Sequence, residues 1–287
     1  MTQLPQHSWD THVHIFGDLN RYPRSNPKAI YPVPTDCDLH ALLSLHREMG
    51  ISNAVLIQPT VYGTDHSLLF DVLSESSGGL KGVAIIDDTV PDAELARLDT
   101  VGVCCARLNF GQRFHLKPDV ASLRRTIARV AEIGWSLKVF GFGDDLLEFE
   151  KELRAIEIPA MIDHLGGVDY SLGTNQRPLQ FMIDLLQHEN WWVSLSNGDI
   201  RSRSTVLGQD SVAIGKALFN AAPDRCVWGS DWPHVHRFIR PGVERFIGAD
   251  PQSELARVEL LRSYLPDAHA LEAVMSRNPP RFFARRS

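Results

Sequence analysis

The sequence has few cysteines and no long apolar run, and each absence excludes a class of protein. Of its 287 residues four are cysteine, at Cys37, Cys104, Cys105 and Cys226, without the spacing of a metal site. We expect them to be buried, reduced thiols, as in a cytoplasmic protein. No apolar run reaches the roughly 20 residues of a membrane span, and the polar segment Met1–Ser8 has no signal-sequence pattern. We therefore expect no membrane partner.

Charge of one sign is not in excess either. The chain has 29 basic and 35 acidic residues and a net charge of −6. The two signs are interspersed, so no basic stripe indicates a nucleic-acid partner. The sequence does not fix the oligomeric state, and a homo-oligomer is compatible with it.

Eight apolar runs recur along the chain, with helical patterns between them. Alternation of this kind predicts an α/β fold, a (β/α)8 TIM barrel formed by one domain over residues 1–287. The rival, an open doubly wound sheet, is disfavoured because no glycine-rich phosphate loop follows the first strand. The predicted strands are Trp9–His14, Ala54–Gln58, Gly82–Ile86, Val103–Asn109, Leu137–Phe140, Ala160–His164, Trp192–Ser196 and Val227–Asp231.

The helices are predicted from apolar residues at three- and four-residue spacing. Two patterns are especially clear: Leu39 to Met49, which ends before Gly50, and Val120 to Val130, which follows Pro118. The remaining predicted helices are Asp65–Glu75, Asp92–Thr100, Asp145–Ile156, Pro178–Glu189, Ser211–Ala221 and a section from about Ser253. The segment between Ile15 and Thr35 is long for a strand-to-helix loop, so we predict that residues 15–35 cover the substrate.

Polar side chains end three of the predicted strands. His12 and His14 share one face of the first strand because they are two residues apart, His164 ends the sixth, and Asp231 ends the eighth. In a barrel these ends form the rim where catalysis takes place. A carboxylate against an apolar interior is a candidate general base. The alternatives are structural histidines and an aspartate that caps a helix or forms a buried ion pair.

Arginines near the same rim indicate an anionic substrate. Arg107 lies near the end of the fourth strand, and Arg113 follows in the loop. A guanidinium binds a carboxylate through two parallel hydrogen bonds. The alternative for Arg107 is an ion pair with a protein carboxylate such as Asp163. Arg201 and Arg203, after the seventh strand, are either part of the rim or solvated loop charges.

These motifs resemble the amidohydrolase superfamily, amidohydrolase-2 type, and within it the branch that contains 2-pyrone-4,6-dicarboxylate lactonase. The likeness covers nearly the whole chain. The arginine pair indicates the branch, and the histidine and aspartate motifs indicate the superfamily. The segments that carry the resemblance are Asp10–Gly17, Gln58–Thr60 with Gly63–Asp65, Arg107–Phe110 with Arg113, Ile162–Gly166 and Val227–His234.

The resemblance implies hydrolysis of the ring of a small acidic lactone, as in the degradation of aromatic compounds. Asp231 would activate water, while the imidazoles would polarise the lactone carbonyl. Negative charge develops on that carbonyl oxygen during attack, and positioned donors stabilise it. The residues implied for catalysis are Asp231, His12, His14 and His164. Those implied for substrate binding are Arg107, Arg113, Arg201, Tyr31 and His234. The alternative for His234 is a hydrogen bond within its own loop.

Two departures from the family pattern leave the individual substrate open. Phe140 stands where the related lactonase has a tyrosine, and the loop Gly63-Thr64-Asp65-His66 differs from the usual Gly-x-Asp-Asn. A 4-sulfomuconolactone or a sugar-acid lactone is therefore an alternative substrate.

We expect no metal cofactor. The metal-dependent relatives usually add a histidine on strand five, where this chain has Lys138 to Phe140, and Arg107 would repel a divalent cation. The alternative is a single Zn or Mn ion held by His12, His14, His164 and Asp231.

Two other functions are compatible with the sequence. One is a metal-dependent decarboxylase of the same superfamily, which would release carbon dioxide. The other is a barrel that binds an acidic ligand without turning it over.

Overall fold

Eight parallel strands lie side by side in chain order in a computed structural model of the protein. This count and the statements below refer to residues 3–29, 31, 33–76, 78–111, 118–235 and 250–284, which are the residues that the structure describes. The strands are β1 Trp9–Val13, β2 Asn53–Ile57, β3 Leu80–Ile85, β4 Val103–Asn109, β5 Ser136–Phe140, β6 Ala160–Ile162, β7 Trp191–Ser194 and β8 Cys226–Val227.

The first and last strands meet through backbone hydrogen bonds. The amide of Thr11 donates to the carbonyl of Trp228 over 3.1 Å, and the amide of Asp231 donates to the carbonyl of His12 over 2.8 Å. Gly229 permits this approach, because a Cβ atom there would lie 2.5 Å from the backbone nitrogen of His12. The sheet therefore closes on itself, and the predicted TIM barrel is confirmed.

Helices follow the strands and cover the outside of the barrel. Asp38 begins α1 by accepting a hydrogen bond from the amide of Ala41 over 2.9 Å, and Gly50 ends it with a left-handed φ of 80°. Asp119 caps α4 in the same way. The helices are α1 Leu39–Met49, α2 Ser67–Glu75, α3 Asp92–Thr100, α4 Val120–Glu132, α5 Gly143–Leu147, α6 Glu150–Arg154, α7 Arg177–Leu185, α8 Val212–Ala221, α9 Pro251–Tyr264, α10 Ala268–Glu272 and α11 Pro279–Phe282.

Several predicted boundaries were wrong, among them those of one helix and of two strands that lead into the site. The helix predicted over Asp145–Ile156 is two helices, α5 and α6, with a break at which the buried Phe149 packs on Phe110, their ring centroids 4.8 Å apart. Strands β6 and β8 end earlier than predicted, so His164 and Asp231 lie in the loops just beyond them. Both residues have positive φ values, 55° and 61°, which no strand residue adopts.

The barrel interior is apolar at one end and charged at the other. Val55, Val83, Cys105 and Met161 belong to one buried cluster, together with Phe282 and Phe283 from the end of the chain. Arg107 lies on the same face of β4 as Cys105, two residues further along the strand, because side chains alternate along a strand. The apolar residues fill the amino-terminal end, which leaves the polar side chains at the carboxyl-terminal end.

All four cysteines are buried and unpaired, as predicted. Within the described ranges, no helix has both the length and the apolar character needed to cross a bilayer.

Candidate active site

Three imidazoles surround one carboxylate oxygen at the carboxyl-terminal end of the barrel. The Nε2 atoms of His12, His14 and His164 lie 3.5, 3.3 and 3.9 Å from Oδ1 of Asp231. All four residues are buried. The structure therefore brings together the four residues that the sequence singled out for catalysis.

Asp231 is held by backbone and side-chain contacts on both sides. Its amide donates to the carbonyl of His12, and its carbonyl accepts from the amide of His234, both over 2.8 Å. Its second carboxylate oxygen, Oδ2, accepts a hydrogen bond from Nδ2 of Asn197 over 2.7 Å. Asn197 lies just beyond β7, so the neighbouring strand end orients the carboxylate.

His12 lies above a fully buried ion pair. Nζ of Lys138 is 3.0 Å from Oδ1 of Asp163, and the same oxygen is 3.6 Å from Nδ1 of His12. Burial, assisted by the positive charge of Lys138, holds the pKa of His12 well below its usual 6.5. Burial alone would raise the pKa of Asp163, but Lys138 and His12 outweigh it and lower that pKa. His12 is therefore neutral and Asp163 ionised near neutral pH.

Hydrogen bonds also fix the other two imidazoles. Nδ1 of His14 lies 2.8 Å from the carbonyl oxygen of Ile57, which only accepts, so this nitrogen is the donor. Nδ1 of His164 lies 2.8 Å from the hydroxyl of Ser196. Burial lowers the pKa of His164 from 6.5 to about 4.

The hydrogen bond from His14 to Ile57 determines what can lie between His14 and Asp231. When His14 is neutral and protonated at Nδ1, its Nε2 atom carries a lone pair that faces the carboxylate of Asp231. Two acceptors at that distance repel each other unless a proton or a metal ion lies between them. Ligand atoms of His12, His164 and Asp231 all lie within 4.8 Å of one another. The residues present thus fit a single divalent metal ion, and they equally fit one shared proton.

A cavity opens beside the cluster and has mixed walls. Its free volume is about 130 Å³, close to the ~150 Å³ apolar cavity that admits benzene, so it has room for one small ring. Two cation–aromatic contacts form part of the wall. The guanidinium of Arg107 lies 4.7 Å from the ring centre of Phe140, and that of Arg201 lies 5.1 Å from the ring centre of Phe142. The lining residues include His14, Tyr31, Arg107, Phe140, Phe142, His164, Tyr170, Asn197, Arg201 and Asp231.

The sequence matches the family model named Amidohydrolase over residues 9–285. The matched range includes all eight strands and the four clustered residues from His12 to Asp231. The chain belongs to the amidohydrolase family.

Several characterised relatives of this amidohydrolase act on lactones. The 4-sulfomuconolactone hydrolase of Rhizobium radiobacter is 31% identical over 98% of this chain and 91% of the relative. The enzyme of the same name from Hydrogenophaga intermedia is 28% identical over 98% and 90%. The 2-pyrone-4,6-dicarboxylate hydrolase of Comamonas testosteroni is 29% identical over 81% of this chain and 78% of the relative.

Solved structures have the same architecture. A Pseudomonas putida protein provisionally named 2-pyrone-4,6-dicarboxylic acid hydrolase is 26% identical, with a TM-score of 0.79 over 98% of both chains. A Burkholderia multivorans amidohydrolase with bound zinc has a TM-score of 0.74 at 16% identity, covering 97% of this chain and 99% of that one. Zinc therefore occurs within this fold, as it does in some members of the superfamily.

The predicted substrate-binding residues of the amidohydrolase have different outcomes. Arg107, Arg201 and Tyr31 line the cavity, and burial raises the pKa of Tyr31 to about 12, which keeps its hydroxyl protonated. Arg107 also lies 3.8 Å from Asp163, so the alternative pairing is present together with the cavity position. Arg113 lies outside the described residues.

Arg203 and His234 do not line the cavity among the described residues. Arg203 is exposed and lies 3.6 Å from Asp169. The Nε2 atom of His234 lies 2.6 Å from Oε1 of Glu254, and the assignment of His234 to substrate binding stays a prediction.

Three side chains that lie around the cluster of this amidohydrolase were missed or only partly recognised in the sequence. Asn197 was missed, although a polar residue just past the end of β7 was a usable signal. Lys138 and Asp163 were noticed only singly. A lysine between Leu137 and Val139 in a buried strand implies an interior anion, and Asp163, the residue directly after the adjacent strand β6, supplies it.

Proposed function

We propose that this amidohydrolase hydrolyses the ring of a small lactone that carries two anionic groups. The observation that carries the proposal is the convergence of three imidazoles on Asp231 beside a ring-sized cavity that also contains Arg107 and Arg201. The lactone hydrolases among its relatives support the same reaction class.

Asp231 acts as the general base in this proposal. Its Oδ1 atom faces the cluster, while Oδ2 is engaged by Asn197. A water placed at Oδ1 loses a proton to the carboxylate as its oxygen attacks the lactone carbonyl. The ring C–O bond then breaks, and the departing oxygen takes up the proton that Asp231 accepted from water, which restores the carboxylate and gives a hydroxy acid or its keto form.

The imidazoles stabilise the oxygen of the attacked carbonyl. An imidazole that is protonated at both nitrogens can donate through Nε2 to the oxyanion, whereas the neutral Nδ1-protonated form cannot. The proposal therefore places one proton within the group formed by His12, His14, His164 and Asp231. We assign it to Nε2 of His14, whose Nδ1 is already committed to Ile57 and whose Nε2 lies nearest to the carboxylate.

Arg107 and Arg201 bind the anionic substituents of the substrate. Each guanidinium lies against a phenylalanine, Phe140 or Phe142, which keeps its donors at the cavity wall. Arg113 is a further proposed anion ligand from the sequence resemblance. The dicarboxylate and sulfonate lactones in the names of the relatives have the matching charge, and both belong in the substrate panel.

Hydrolysis in this proposal does not require a metal ion. Lys138 and Arg107 place two positive charges close to the cluster, and like charges disfavour a divalent cation there. If a metal is bound, His12, His164 and Asp231 would hold it, and it would supply Lewis-acid polarisation of the carbonyl. One equivalent of zinc or manganese in protein purified without chelator, with activity lost on its removal, would refute metal-free catalysis.

Two further assignments complete the proposal. Residues 15–35 form a cover over the substrate, supported by the positions of Ala29 and Tyr31 in the cavity wall. The location is cytoplasmic, supported by the four unpaired cysteines.

The deciding experiment is acid release in a pH-indicator assay with 2-pyrone-4,6-dicarboxylate, 4-sulfomuconolactone, muconolactone and sugar-acid lactones. We expect turnover of a di-anionic lactone, and a loss of about 10²- to 10⁴-fold in kcat for Asp231→Asn, the range for a general base. Carbon dioxide release from an aromatic acid, with no lactone opened, would overturn the assignment in favour of a decarboxylase. Binding of these acids without turnover by the wild type would favour a non-catalytic barrel.

A further inference from the structure

A chain of buried charged side chains connects the two loops that hold the general base. His234 contacts Glu254 over 2.6 Å, Glu254 accepts from Arg257 over 2.9 Å, and Arg257 donates to Asp199 over 3.2 Å. These side chains are between 0% and 8% exposed. We call His234, Glu254, Arg257 and Asp199 the loop clamp.

Both ends of the loop clamp lie next to the catalytic carboxylate. The amide of His234 donates to the carbonyl of Asp231 over 2.8 Å, so these residues form one turn. Asp199 is two residues from Asn197, whose amide orients Asp231. The middle of the clamp, Glu254 and Arg257, belongs to α9, which follows the barrel strands.

The turn that carries Asp231 needs external support. Asp231 and His234 both have a φ of 61°, a left-handed conformation that is strained for residues other than glycine. Such conformations persist only where the surroundings over-determine them. The hydrogen bond between His234 and Glu254 supplies one such constraint, and it is shielded from water.

A purely structural purpose explains the loop clamp less well. Buried ion pairs seldom add net stability over apolar side chains of similar volume, because desolvation offsets their attraction. What they do supply is a fixed geometry, through short, directed hydrogen bonds between charged groups.

We propose that the loop clamp is a positioning device that sets the distance between Asn197 and Asp231 and so aligns the base with its water. The role rests on the proposed lactone hydrolysis. It makes Glu254 and Arg257 positioning residues of the reaction although neither lines the described part of the cavity.

The test compares Glu254→Gln with Glu259→Gln, the same substitution on the same helix. The Glu259 side chain is 51% exposed and pairs with Arg262, which makes it a matched control. We expect hydrogen–deuterium exchange of the amides from Ser230 to Val235 to become about tenfold faster in Glu254→Gln, because the turn loses a buried constraint. Exchange in the control should equal that of the wild type. This measurement does not depend on any activity.

Kinetics test the positioning role itself. With whichever lactone the wild type opens, kcat of Glu254→Gln should fall by about 10- to 100-fold, the range for a misplaced catalytic group. KM should stay within about twofold, because the anion-binding arginines are untouched. Asn197→Ala combined with Glu254→Gln should lose less than the product of the two single losses, since both act through Asp231.

The outcomes separate the two proposals. If the wild type opens no lactone, the proposed function fails and the exchange result alone decides whether the loop clamp holds the turn. Unchanged exchange in Glu254→Gln, or faster exchange with an unchanged kcat, would overturn the positioning role. Should Glu254→Gln fail to fold, Arg257→Lys, which keeps the charge but loses the planar fork, undergoes the same measurements.

Discussion

Replacing Asn197 by alanine removes the amide that donates to Oδ2 of Asp231 over 2.7 Å. A hydrogen bond to a charged group contributes about 1.5–3 kcal/mol, and a tenfold change in rate corresponds to about 1.4 kcal/mol. If that contribution serves to orient the base in the transition state, kcat should fall by about 10- to 150-fold. KM should change little, because Arg107 and Arg201 are left in place.

The measurement is initial-rate acid release over a range of lactone concentrations, at fixed pH and with purified Asn197→Ala. Asn20→Ala is the matched control, because Asn20 is exposed and its side chain donates to Asp18, two positions earlier in the chain. Thermal unfolding of both variants establishes that the fold is intact. A kcat within twofold of the wild type in a folded Asn197→Ala protein would refute the idea that this amide orients the base.

Three further predictions follow from the charges around the cluster. Arg107→Met should reduce kcat/KM for a di-anionic lactone by about 10- to 150-fold, the equivalent of one charged hydrogen bond, but should affect a neutral lactone much less; equal losses would contradict an anion-binding role. Lys138→Met should lower the free energy of unfolding by about 3–5 kcal/mol, because it removes the cation 3.0 Å from the buried Asp163 carboxylate. Urea denaturation should also show that Lys138→Met with Asp163→Leu recovers part of the loss. The pKa of His164 is about 4 in the folded protein and 6.5 without its environment, so between these pH values the unfolded chain binds more protons than the folded one. The free energy of unfolding should therefore decrease as the pH is lowered from 6.5 to 4. A pH series of urea denaturations should show a weaker pH dependence in His164→Gln than in the wild type.

The fold could be predicted because its signals are local and repeated. Alternating strand and helix patterns gave the barrel, and the predicted bounds of β4 and α3 agree with the structure. The family and the lactone-hydrolase reaction class were predicted from motifs at strand ends, and the comparisons confirm the family. Spacing of two residues on one strand was enough to place His12 and His14 on the same side.

The remaining site features depend on contacts between residues that are distant in sequence. The orientation of His234 is decided by Glu254, twenty positions later and on another element. The role of Lys138 depends on Asp163 from the adjacent strand. The ends of β6 and β8 were overestimated because positive φ values at His164 and Asp231 leave no trace in an apolar pattern.

The catalytic cluster lies where the first and last strands meet and close the barrel. His12 comes from the first strand, Asp231 follows the last, and the backbone hydrogen bond between these two residues is part of the closure itself. A folding intermediate in which the first seven strands are formed but the eighth is still undocked would have most of the core and no assembled base. During refolding, activity should therefore recover only when the first and last strands pair, later than the recovery of helical circular dichroism.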